Sequence, residues 1–343
     1  MPRGHRNNYD IDQVVAMREQ GLSYRLIAQM VGASGESTIR EAIRRHSGQP
    51  PRDASRSLAA SIALAARWNT TRPAVGARTF GVEIEFHTAI RSNVADAVGA
   101  VVGYHIHMTG YHGNTCYTCG GTVSGYQHWK LETDSSATSG MANAGPRPNN
   151  QGGELVSPVL AGEAGLEEVR KVMQALRSVN AKVDRRHGMH VHLGVADITG
   201  DNRARLFTNY KQMQKTLFKL VATYRQHNHY CTPVSAMRLD DWANASRFSR
   251  GISGSHSDAM NVENIRRIGT IEMRMHQGTL NGKKATEWVK LLVAFFDASL
   301  NGVVIDLNDD PITVLKDSGY ITGASAEWLI RRQETLYPNA VVV

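Results

Sequence analysis

Four short stretches of the 343-residue chain place ionisable side chains at every second position. Glu83 and Glu85 stand two apart in "FGVEIEF", and His190 and His192 do so in "GMHVHLG". The other two stretches follow the same alternation. One carries Lys130, Glu132 and Asp134, and the other carries Glu272, Arg274 and His276. Residues two apart on a strand project from one face of a sheet. The spacing therefore predicts strands with one apolar face and one face of ionisable groups.

The acidic face is typical of a divalent metal site. Carboxylates this close to one another repel unless cations neutralise them. Glu154, at the start of "GELVSPVL", adds another carboxylate to the set. Clusters of carboxylates with one or two imidazoles suit Mg²⁺ or Mn²⁺. The alternative interpretation is an antiparallel sheet with one solvated face, which is the commonest result of such alternation.

The elements that must position these residues follow from the same patterns. Period-two alternation predicts strands over 79–86, 128–134, 154–159, 188–194 and 270–277. Helical stretches are predicted between and after them, over 165–180, 202–226 and 284–300. Several antiparallel strands with intervening helices indicate an α+β domain rather than a doubly wound one.

Five segments in order resemble the amidoligase family of the carboxylate–amine ligase superfamily, which also includes glutamine synthetase and γ-glutamylcysteine ligase. They are "TFGVEIEF", "HWKLETDSS", "GGELVSPVL", "GMHVHLG" and "GTIEMRMHQGTL". The "GMHVHLG" segment also resembles the histidine segment of glutamine synthetase that binds metal and nucleotide. This resemblance implies a curved antiparallel sheet that forms a glutamine-synthetase-like catalytic funnel, with helices packed on its outer face.

The resemblance also implies an activity, namely ATP-dependent formation of an amide or peptide bond through an acyl phosphate. Its cofactors are ATP and two or three Mg²⁺ or Mn²⁺ ions, and its substrates carry a carboxylate and an amine (an amino acid, a peptide or a protein side chain). The implied metal ligands are Glu83, His190 and Glu272 for one ion, and Glu85, Glu154 and Asp134 for its neighbour. His192 matches the histidine near the nucleotide phosphates. The implied catalytic residues are Arg274, which neutralises phosphoryl or carboxylate charge and binds the cofactor, Glu85 and Asp134.

Several of these positions have simpler interpretations. Glu272 and Arg274 can form an ion pair along one strand. Asp134 can instead cap the turn formed by "SSATSG". Glu132 and His276 are available as the base that deprotonates the amine, but no pattern supports either one.

Residues 91–127 are predicted to be an insertion, and their Gly- and Tyr-rich composition indicates a flexible flap over the funnel mouth. Cys116 and Cys119 form a CxxC, which is half of a zinc knuckle. Two of the three upstream histidines, His105, His107 and His112, could complete a Zn²⁺ site. The paired thiols could equally be ordinary residues of a loop.

The N-terminal part of the chain is basic. Residues 1–78 hold 12 arginines and six acidic residues, which is +6 of the total charge of +8. Three short helices are predicted over 10–46, with Arg40, Arg44 and Arg45 away from the apolar face. This segment resembles the helix-turn-helix of resolvases and transposases, which implies DNA binding. A cap or an oligomerisation module is the alternative. The predicted domains are a helix-turn-helix domain at 1–48, a linker at 49–77 and a catalytic domain at 78–343.

Other sequence features limit the choice of function. The most apolar stretch, 291–305, is interrupted by Asp297 and Asn301, so no membrane partner is expected. Three cysteines do not make a disulfide framework, and a cytoplasmic location is expected. No Walker A pattern is present, because "GTLNGKKAT" has the wrong spacing. The alternatives to a ligase are a metal-dependent nuclease or hydrolase acting on DNA, and a DNA-binding regulator with an inactive ligase-like domain.

Overall fold

A computed structural model describes residues 10–19, 24–33, six single positions between 35 and 46, and 78–338 except for 124 and 246–253. The described residues fall into two compact units, one within 1–67 and the other within 68–343. The predicted linker at 49–77 and the predicted basic positions Arg40, Arg44 and Arg45 lie outside the described residues.

The smaller unit contains two short helices, α1 (Ile11–Glu19) and α2 (Tyr24–Met30). Val14 of α1 and Ile27 of α2 are fully buried and pack with Ile39, which is itself in a helical conformation. The guanidinium of Arg18 lies 4.5 Å from the ring centre of Tyr24. The first two predicted helices are present, and only scattered positions of the third are described.

The larger unit has a mixed α+β fold built on an open, mostly antiparallel sheet. Its eight strands are β1 (Thr79–Ile90), β2 (His107–Met108), β3 (Lys130–Glu132), β4 (Gln151–Val156), β5 (Leu160–Ala161), β6 (Gly188–Gly194), β7 (Met260–Asn261) and β8 (Thr270–Gln277). Seven of them follow the order β2-β3-β4-β1-β6-β8-β7, and β5 pairs with β1. The pair β2–β3 is parallel, and the remaining pairs are antiparallel.

Helices surround the sheet and cover its apolar face. They are α3 (Arg91–Val102), α4 (Gly162–Ser178), α5 (Gly200–Lys219), α6 (Ala236–Asn244), α7 (Asn264–Ile268), α8 (Gly282–Leu300), α9 (Pro311–Asp317) and α10 (Gly323–Leu336), with a 3₁₀ helix at Thr223–His227. Helix α8 contacts both α4 and α5 and is buried along most of its length. Within the described residues, none of the helices has the length and apolarity needed to cross a bilayer.

The core lies between this helical layer and the apolar face of the sheet. Val82, Ile84 and Phe86 of β1 are fully buried or nearly so, as their alternation with the two glutamates predicts. Met189, Val191 and Leu193 make the same contribution from β6. Because the apolar face is filled in this way, the ionisable residues of the same strands must project to the opposite face.

Some elements begin and end at residues other than those predicted. The predicted strand over 154–159 instead begins at Gln151 and ends at Val156, since Pro158 has no N–H to continue the ladder. The predicted strand over 128–134 is limited to Lys130–Glu132. The predicted helix over 202–226 ends at Lys219 and is followed by the separate 3₁₀ turn.

The segment predicted as an inserted flap begins with regular structure. Residues 91–102 form α3, whose Val94 and Val98 are buried in the core. Arg91 is also buried, and its guanidinium donates hydrogen bonds to the carbonyls of Glu132 (2.8 Å), Leu131 (2.8 Å), Thr109 (3.1 Å) and Gly152 (3.2 Å). One buried cation therefore ties β3, β4 and the residue after β2 to the helix.

Gly153, in the strand next to β3, is required by this close approach. Its φ is +138°, and a Cβ at this position would lie 2.4 Å from the carbonyl oxygen of Glu132. A side chain at this position would separate β4 from β3 and displace Arg91. Glu154, the next residue, is thereby held directly opposite Glu132.

Candidate metal and catalytic site

The strand registers set carboxylates and imidazoles opposite one another across the polar face of the sheet. Glu83 of β1 faces His190 of β6, and Glu85 of β1 faces Glu154 of β4. His192 faces Glu272 of β8. Directly opposed residues have Cβ atoms about 5 Å apart, so their side chains meet.

His190 is the centre of this acidic cluster. Its Nδ1 lies 3.1 Å from Oε2 of Glu83, 3.5 Å from Oε1 of Glu272 and 3.9 Å from Oε1 of Glu154. Its Nε2 lies 3.5 Å from Oε1 of Glu85. One imidazole thus contacts carboxylates from three strands besides its own.

Neighbouring polar groups fix the orientation of the other members. His192 contacts Oε1 of Glu83 through Nε2, at 3.1 Å, and the hydroxyl of Thr270 through Nδ1, at 3.0 Å. Oε2 of Glu272 accepts hydrogen bonds from the side-chain amides of Asn261 (2.9 Å) and Asn264 (3.1 Å). Partners of this kind set the tautomer and angle of metal-binding residues.

The backbone N–H of Gly188 donates to Oε2 of Glu85, at 2.7 Å. The residues that hydrogen-bond His192 and Glu272, namely Thr270, Asn261 and Asn264, were not predicted from the sequence. The only signal available was the pair of asparagines in "NVEN", just before β8.

Asp134 joins the cluster from the end of β3, where the chain turns away from the sheet. Its Oδ1 accepts hydrogen bonds from the N–H of Ser136 (2.5 Å) and Ala137 (3.0 Å) and from the hydroxyl of Ser136 (2.6 Å). The turn-capping interpretation is therefore present in the structure. Asp134 also lies within reach of Glu85 and Glu154, so the same side chain can cap the turn and face the cluster.

Three overlapping sets of ligand atoms could each hold a cation. Within each set, all ligand atoms lie within 4.8 Å of one another. The first set is Glu83, Glu154 and His190, and the second is Glu83, His192 and Glu272. The third set is Glu85, Asp134 and Glu154. Glu83 and Glu154 each belong to two sets, which is the arrangement that bridging carboxylates require. All six predicted metal ligands are brought together, and His192 joins them.

The electrostatics of the cluster are strongly perturbed. Burial acts to raise the pKa of Glu83, but His192 and His190 outweigh it and hold that pKa well below its usual range. Burial and the negative charges of Glu83 and Glu85 raise the pKa of Glu154 well above its usual range. Burial also raises the pKa of Glu85. The cluster therefore holds more carboxylate charge than its histidines neutralise, which favours cation binding.

Arg274 forms the predicted ion pair with Glu272 along β8, and its Nε also donates to the carbonyl of Tyr230, at 3.3 Å. Burial acts to lower the pKa of Arg274, but Glu272 and Glu83 outweigh this effect and raise it. Glu272 in turn has a lowered pKa, because Arg274 and His192 outweigh the effect of its burial. A permanent positive charge therefore lies at the edge of the acidic cluster.

The prediction that His276 shares a face with Glu272 and Arg274 is wrong. The register between β6 and β8 shifts between Met189 and Val191, and this bulge turns His276 toward the helices. Its ring lies 5.2 Å from that of Trp288. Burial and the charge of Arg332 lower its pKa to about 3. His276 is therefore a buried neutral core residue and is not a base at the site.

The bulge is stabilised by Arg225, which is itself buried. Its guanidinium donates hydrogen bonds to the carbonyls of Arg274 (2.7 Å) and Met275 (3.0 Å). Glu132, the other candidate base, faces the cluster as predicted, but it pairs with Lys130 and accepts a hydrogen bond from the N–H of His112 (2.8 Å). This neutralising partner makes Glu132 part of the wall of the site rather than a free base.

Two clefts meet at the acidic cluster. The first includes Glu83, His192 and Lys130. The second includes Glu85, Arg225 and the turn after β3. They share Tyr111, Asp134, His190, His256 and Arg274. The acidic cluster can therefore be reached from two different sides.

A narrow apolar groove adjoins the first cleft beside Glu83 and His192. Phe80, Val156 and Pro158 line it, together with Tyr126.

A second group of potential metal ligands lies in the segment after α3. His105, His107, Cys116 and Cys119 have ligand atoms within 4.8 Å of one another. His112, the third histidine considered, instead lies 3.4 Å from Glu132 through Nδ1.

A comparison with known protein families identifies the family of this chain. Residues 76–296, more than half of the chain, match the family model described as "Putative amidoligase enzyme". This span includes every strand of the sheet and every residue of the acidic cluster. No curated protein matches the chain. From the matched span we conclude that the chain belongs to the amidoligase family.

Proposed function

We propose that the protein is an ATP- and Mg²⁺- or Mn²⁺-dependent ligase that joins a carboxylate to an amine through an acyl phosphate. The observation that carries the proposal is the set of three overlapping ligand groups in which Glu83 and Glu154 are shared. Shared carboxylates hold two or more cations a few ångströms apart, which is the arrangement that phosphoryl transfer uses. Membership of the amidoligase family supports a carboxylate and an amine as substrates.

The donor set fits hard divalent cations. Five carboxylates and two imidazoles converge, and no sulfur ligand is among them, which favours Mg²⁺ or Mn²⁺ over softer metals. In this proposal Glu83, His190, His192 and Glu272 hold one side of the centre, and Glu85, Asp134 and Glu154 hold the other. Cations bound by these residues would neutralise charge on the phosphates and on the acceptor carboxylate.

The two clefts provide a place for each reactant. We assign ATP to the first cleft, with its phosphates toward His192 and Lys130. The carboxylate substrate then enters the second cleft, where Arg274 offers a fixed positive charge. Both ligands reach the acidic cluster from opposite sides, so the γ-phosphate and the acceptor carboxylate meet there.

The reaction follows from this placement. The acceptor carboxylate oxygen attacks the γ-phosphorus, the bond to the β-phosphate oxygen breaks, and ADP leaves. The amine then attacks the carbonyl carbon of the acyl phosphate and releases phosphate, and the amine nitrogen loses a proton. Arg274 offsets charge on the transferred phosphoryl group or on the carboxylate, because it lies in both clefts. The walls formed by Tyr111 and Tyr126 limit the access of water to the acyl phosphate.

The test is release of ADP from ATP and Mg²⁺ in the presence of a mixed pool of amino acids and peptides. We expect release that depends on the pool and that falls by at least about 100-fold in Glu83→Gln and Glu272→Gln. The matched control is Glu327→Gln, because that carboxylate is 68% exposed and pairs only with Arg331. ADP release that both site variants retain would contradict the assignment.

Two other outcomes would replace the proposal. Nicking of DNA by the purified protein with Mg²⁺ but without ATP would indicate a nuclease. Ligand-dependent DNA binding without ADP release would indicate a regulator.

We further propose that residues 10–46 bind DNA as a helix-turn-helix, within a domain at 1–48 joined by a linker at 49–77. Support comes from the seven arginines of residues 1–48 and from helices α1 and α2, which pack around Val14 and Ile27. The full chain should bind duplex DNA with an affinity that falls steeply with salt. Substitution of Arg40, Arg44 and Arg45 by Ala should reduce that salt dependence. Equal binding by the triple variant would contradict this proposal.

A further inference from the structure

The segment 110–128, between β2 and β3, carries residues to the rim of the acidic cluster but has almost no apolar core of its own. Among the described residues of 110–128, only Cys116 is buried. Tyr111 nevertheless lines both clefts, and the N–H of its neighbour His112 donates to Glu132. A loop that positions part of a site without apolar packing needs another source of stability, such as a bound metal.

Four side chains, two on this segment and two just before it, have the chemistry and spacing of a zinc site. His105 and His107 stand two apart, so both point away from the buried Ile106 and Met108. The Nε2 of His105 lies 3.7 Å from Sγ of Cys116, and the Nδ1 of His107 lies 3.6 Å from Sγ of Cys119. In a tetrahedral site with ordinary zinc bond lengths, sulfur and nitrogen ligands are about 3.6 Å apart.

The turn that holds the two cysteines has the backbone of a metal-binding knuckle. The N–H of Gly120 donates to the carbonyl of Cys116 (3.1 Å), and Gly120 has a φ of +66°. The N–H of Gly121 donates to Sγ of Cys119, at 3.4 Å. Hydrogen bonds of this kind to sulfur orient the thiolate and stabilise its charge when a metal is bound.

The four ligands also join separate parts of the loop to the sheet. His107 belongs to β2, which pairs with β3, whereas the cysteines lie on the following turn. The N–H of Tyr117, between the cysteines, donates to the carbonyl of Met108 (2.8 Å), and the N–H of Thr109 donates to the carbonyl of Leu131 (2.9 Å). A metal bound by all four would therefore fix the loop to the edge of the catalytic sheet.

We propose that His105, His107, Cys116 and Cys119 form a structural zinc site that holds Tyr111 and His112 at the rim of the acidic cluster. All four positions are taken by protein ligands, so the site is of the closed, structural type. The inference does not depend on the ligase proposal, because bound zinc and loop stability can be measured without any turnover.

The first test measures metal bound to the full-length protein after purification and dialysis against metal-free buffer. We expect about one tightly bound Zn²⁺ per chain. Replacement of zinc by Co²⁺ should give the visible absorption of a tetrahedral ion together with thiolate charge-transfer bands. Both signals should disappear in the double variant Cys116→Ser/Cys119→Ser.

Three matched variants separate this site from its neighbours. His112→Ala removes the adjacent histidine, and Cys231→Ser removes the cysteine of another buried region; both should keep the zinc. Glu83→Gln alters the acidic cluster and should keep the thiolate charge-transfer bands. Removal of zinc by a chelator should make the 109–123 segment of the wild type about tenfold more sensitive to limited proteolysis.

Several results would overturn the proposal. Wild-type protein whose bound Co²⁺ gives no thiolate charge transfer would do so, even if the cysteine variants fail to fold. Zinc content that stays unchanged in the double cysteine variant would place the metal elsewhere. Thiol titration that finds Cys116 and Cys119 joined in a disulfide would assign the pair a different role.

Discussion

Replacing Glu154 by Gln should stabilise the cation-free protein while removing most of its stabilisation by Mg²⁺. Glu154 is buried, and its ligand atoms lie within 4.8 Å of those of Glu83, Glu85 and Asp134. At this distance and an effective dielectric constant of 20, each like-charge pair costs about 3.5 kcal/mol. Three such pairs cost about 10 kcal/mol, and an attraction of at most about 4 kcal/mol to His190, 3.9 Å away, offsets only part of this.

A proton on Glu154 is therefore the less costly state when no cation is bound. Keeping a glutamate protonated at pH 7 costs about 3.7 kcal/mol relative to an unfolded chain in which it ionises near pH 4.3. Glutamine has the same shape and no such cost, so it can recover at most that amount. We expect a gain of about 2 kcal/mol, or roughly 5 °C in Tm for a domain of this size.

The pH dependence of stability tests separately whether Glu154→Gln stabilises the protein. Because the pKa of Glu154 is raised by burial and by Glu83 and Glu85, the folded protein keeps a proton that the unfolded chain releases. The contribution of Glu154 to the free energy of unfolding of the wild type therefore falls as the pH rises above about 4.3. This fall ends once the pH exceeds the pKa of Glu154 in the folded protein. The gain from Glu154→Gln should be small near pH 4.5 and larger near pH 8.

Thermal unfolding of both proteins in EDTA and in excess Mg²⁺, at each pH, measures the effect. The wild type should gain about 3 kcal/mol when Mg²⁺ exceeds its Kd by about 100-fold, and Glu154→Gln should gain much less. Glu327→Gln, on the exposed face of α10, should change neither quantity. A lower Tm for Glu154→Gln in EDTA near pH 8, or an undiminished Mg²⁺ shift, would refute the reasoning.

Three further predictions concern the surroundings of the cluster. Asn261→Leu removes one donor to Glu272 and should weaken Mg²⁺ binding by about 10- to 100-fold, as isothermal titration would show. Arg78→Met should lower the free energy of unfolding, measured in urea, by about 3–5 kcal/mol. The substitution removes the guanidinium that lies 2.7 Å from the buried carboxylate of Asp297. The control Arg170→Met, which breaks a half-exposed surface pair with Glu167, should lower it by under about 1 kcal/mol. Chelation of divalent cations should lower Tm more near pH 8 than near pH 5, since protons replace cations on the carboxylates at low pH; an equal loss at both values would contradict the cation-binding cluster.

Part of this site could be predicted because it depends only on local alternation. Val82, Ile84 and Phe86 must enter a core, and this requirement alone turns Glu83 and Glu85 to the other face. The same reasoning holds for the two histidines of β6. A hydrophobic pattern with a period of two therefore determined which side chains share a face, before any strand partner was known.

The partners across strands required the tertiary structure. Glu85 and Glu154 are 69 positions apart, and only the register of β1 with β4 sets them opposite one another. The choice of His105 and His107 over His112 as neighbours of the CxxC depends on how the loop folds back along β3. Contacts of this kind arise from packing over long sequence separations, so spacing within one segment cannot reveal them.

His276 is the position at which prediction from local alternation failed. Its alternation with Glu272 and Arg274 predicted the polar face, yet a bulge supported by the distant Arg225 turned it to the apolar face. The sequence by itself determined the alternating faces, the family and the residue types of the acidic cluster. Only the tertiary structure decided the registers, the bulge and the hydrogen-bond partners of each ligand, because these depend on residues that meet only after the chain has folded.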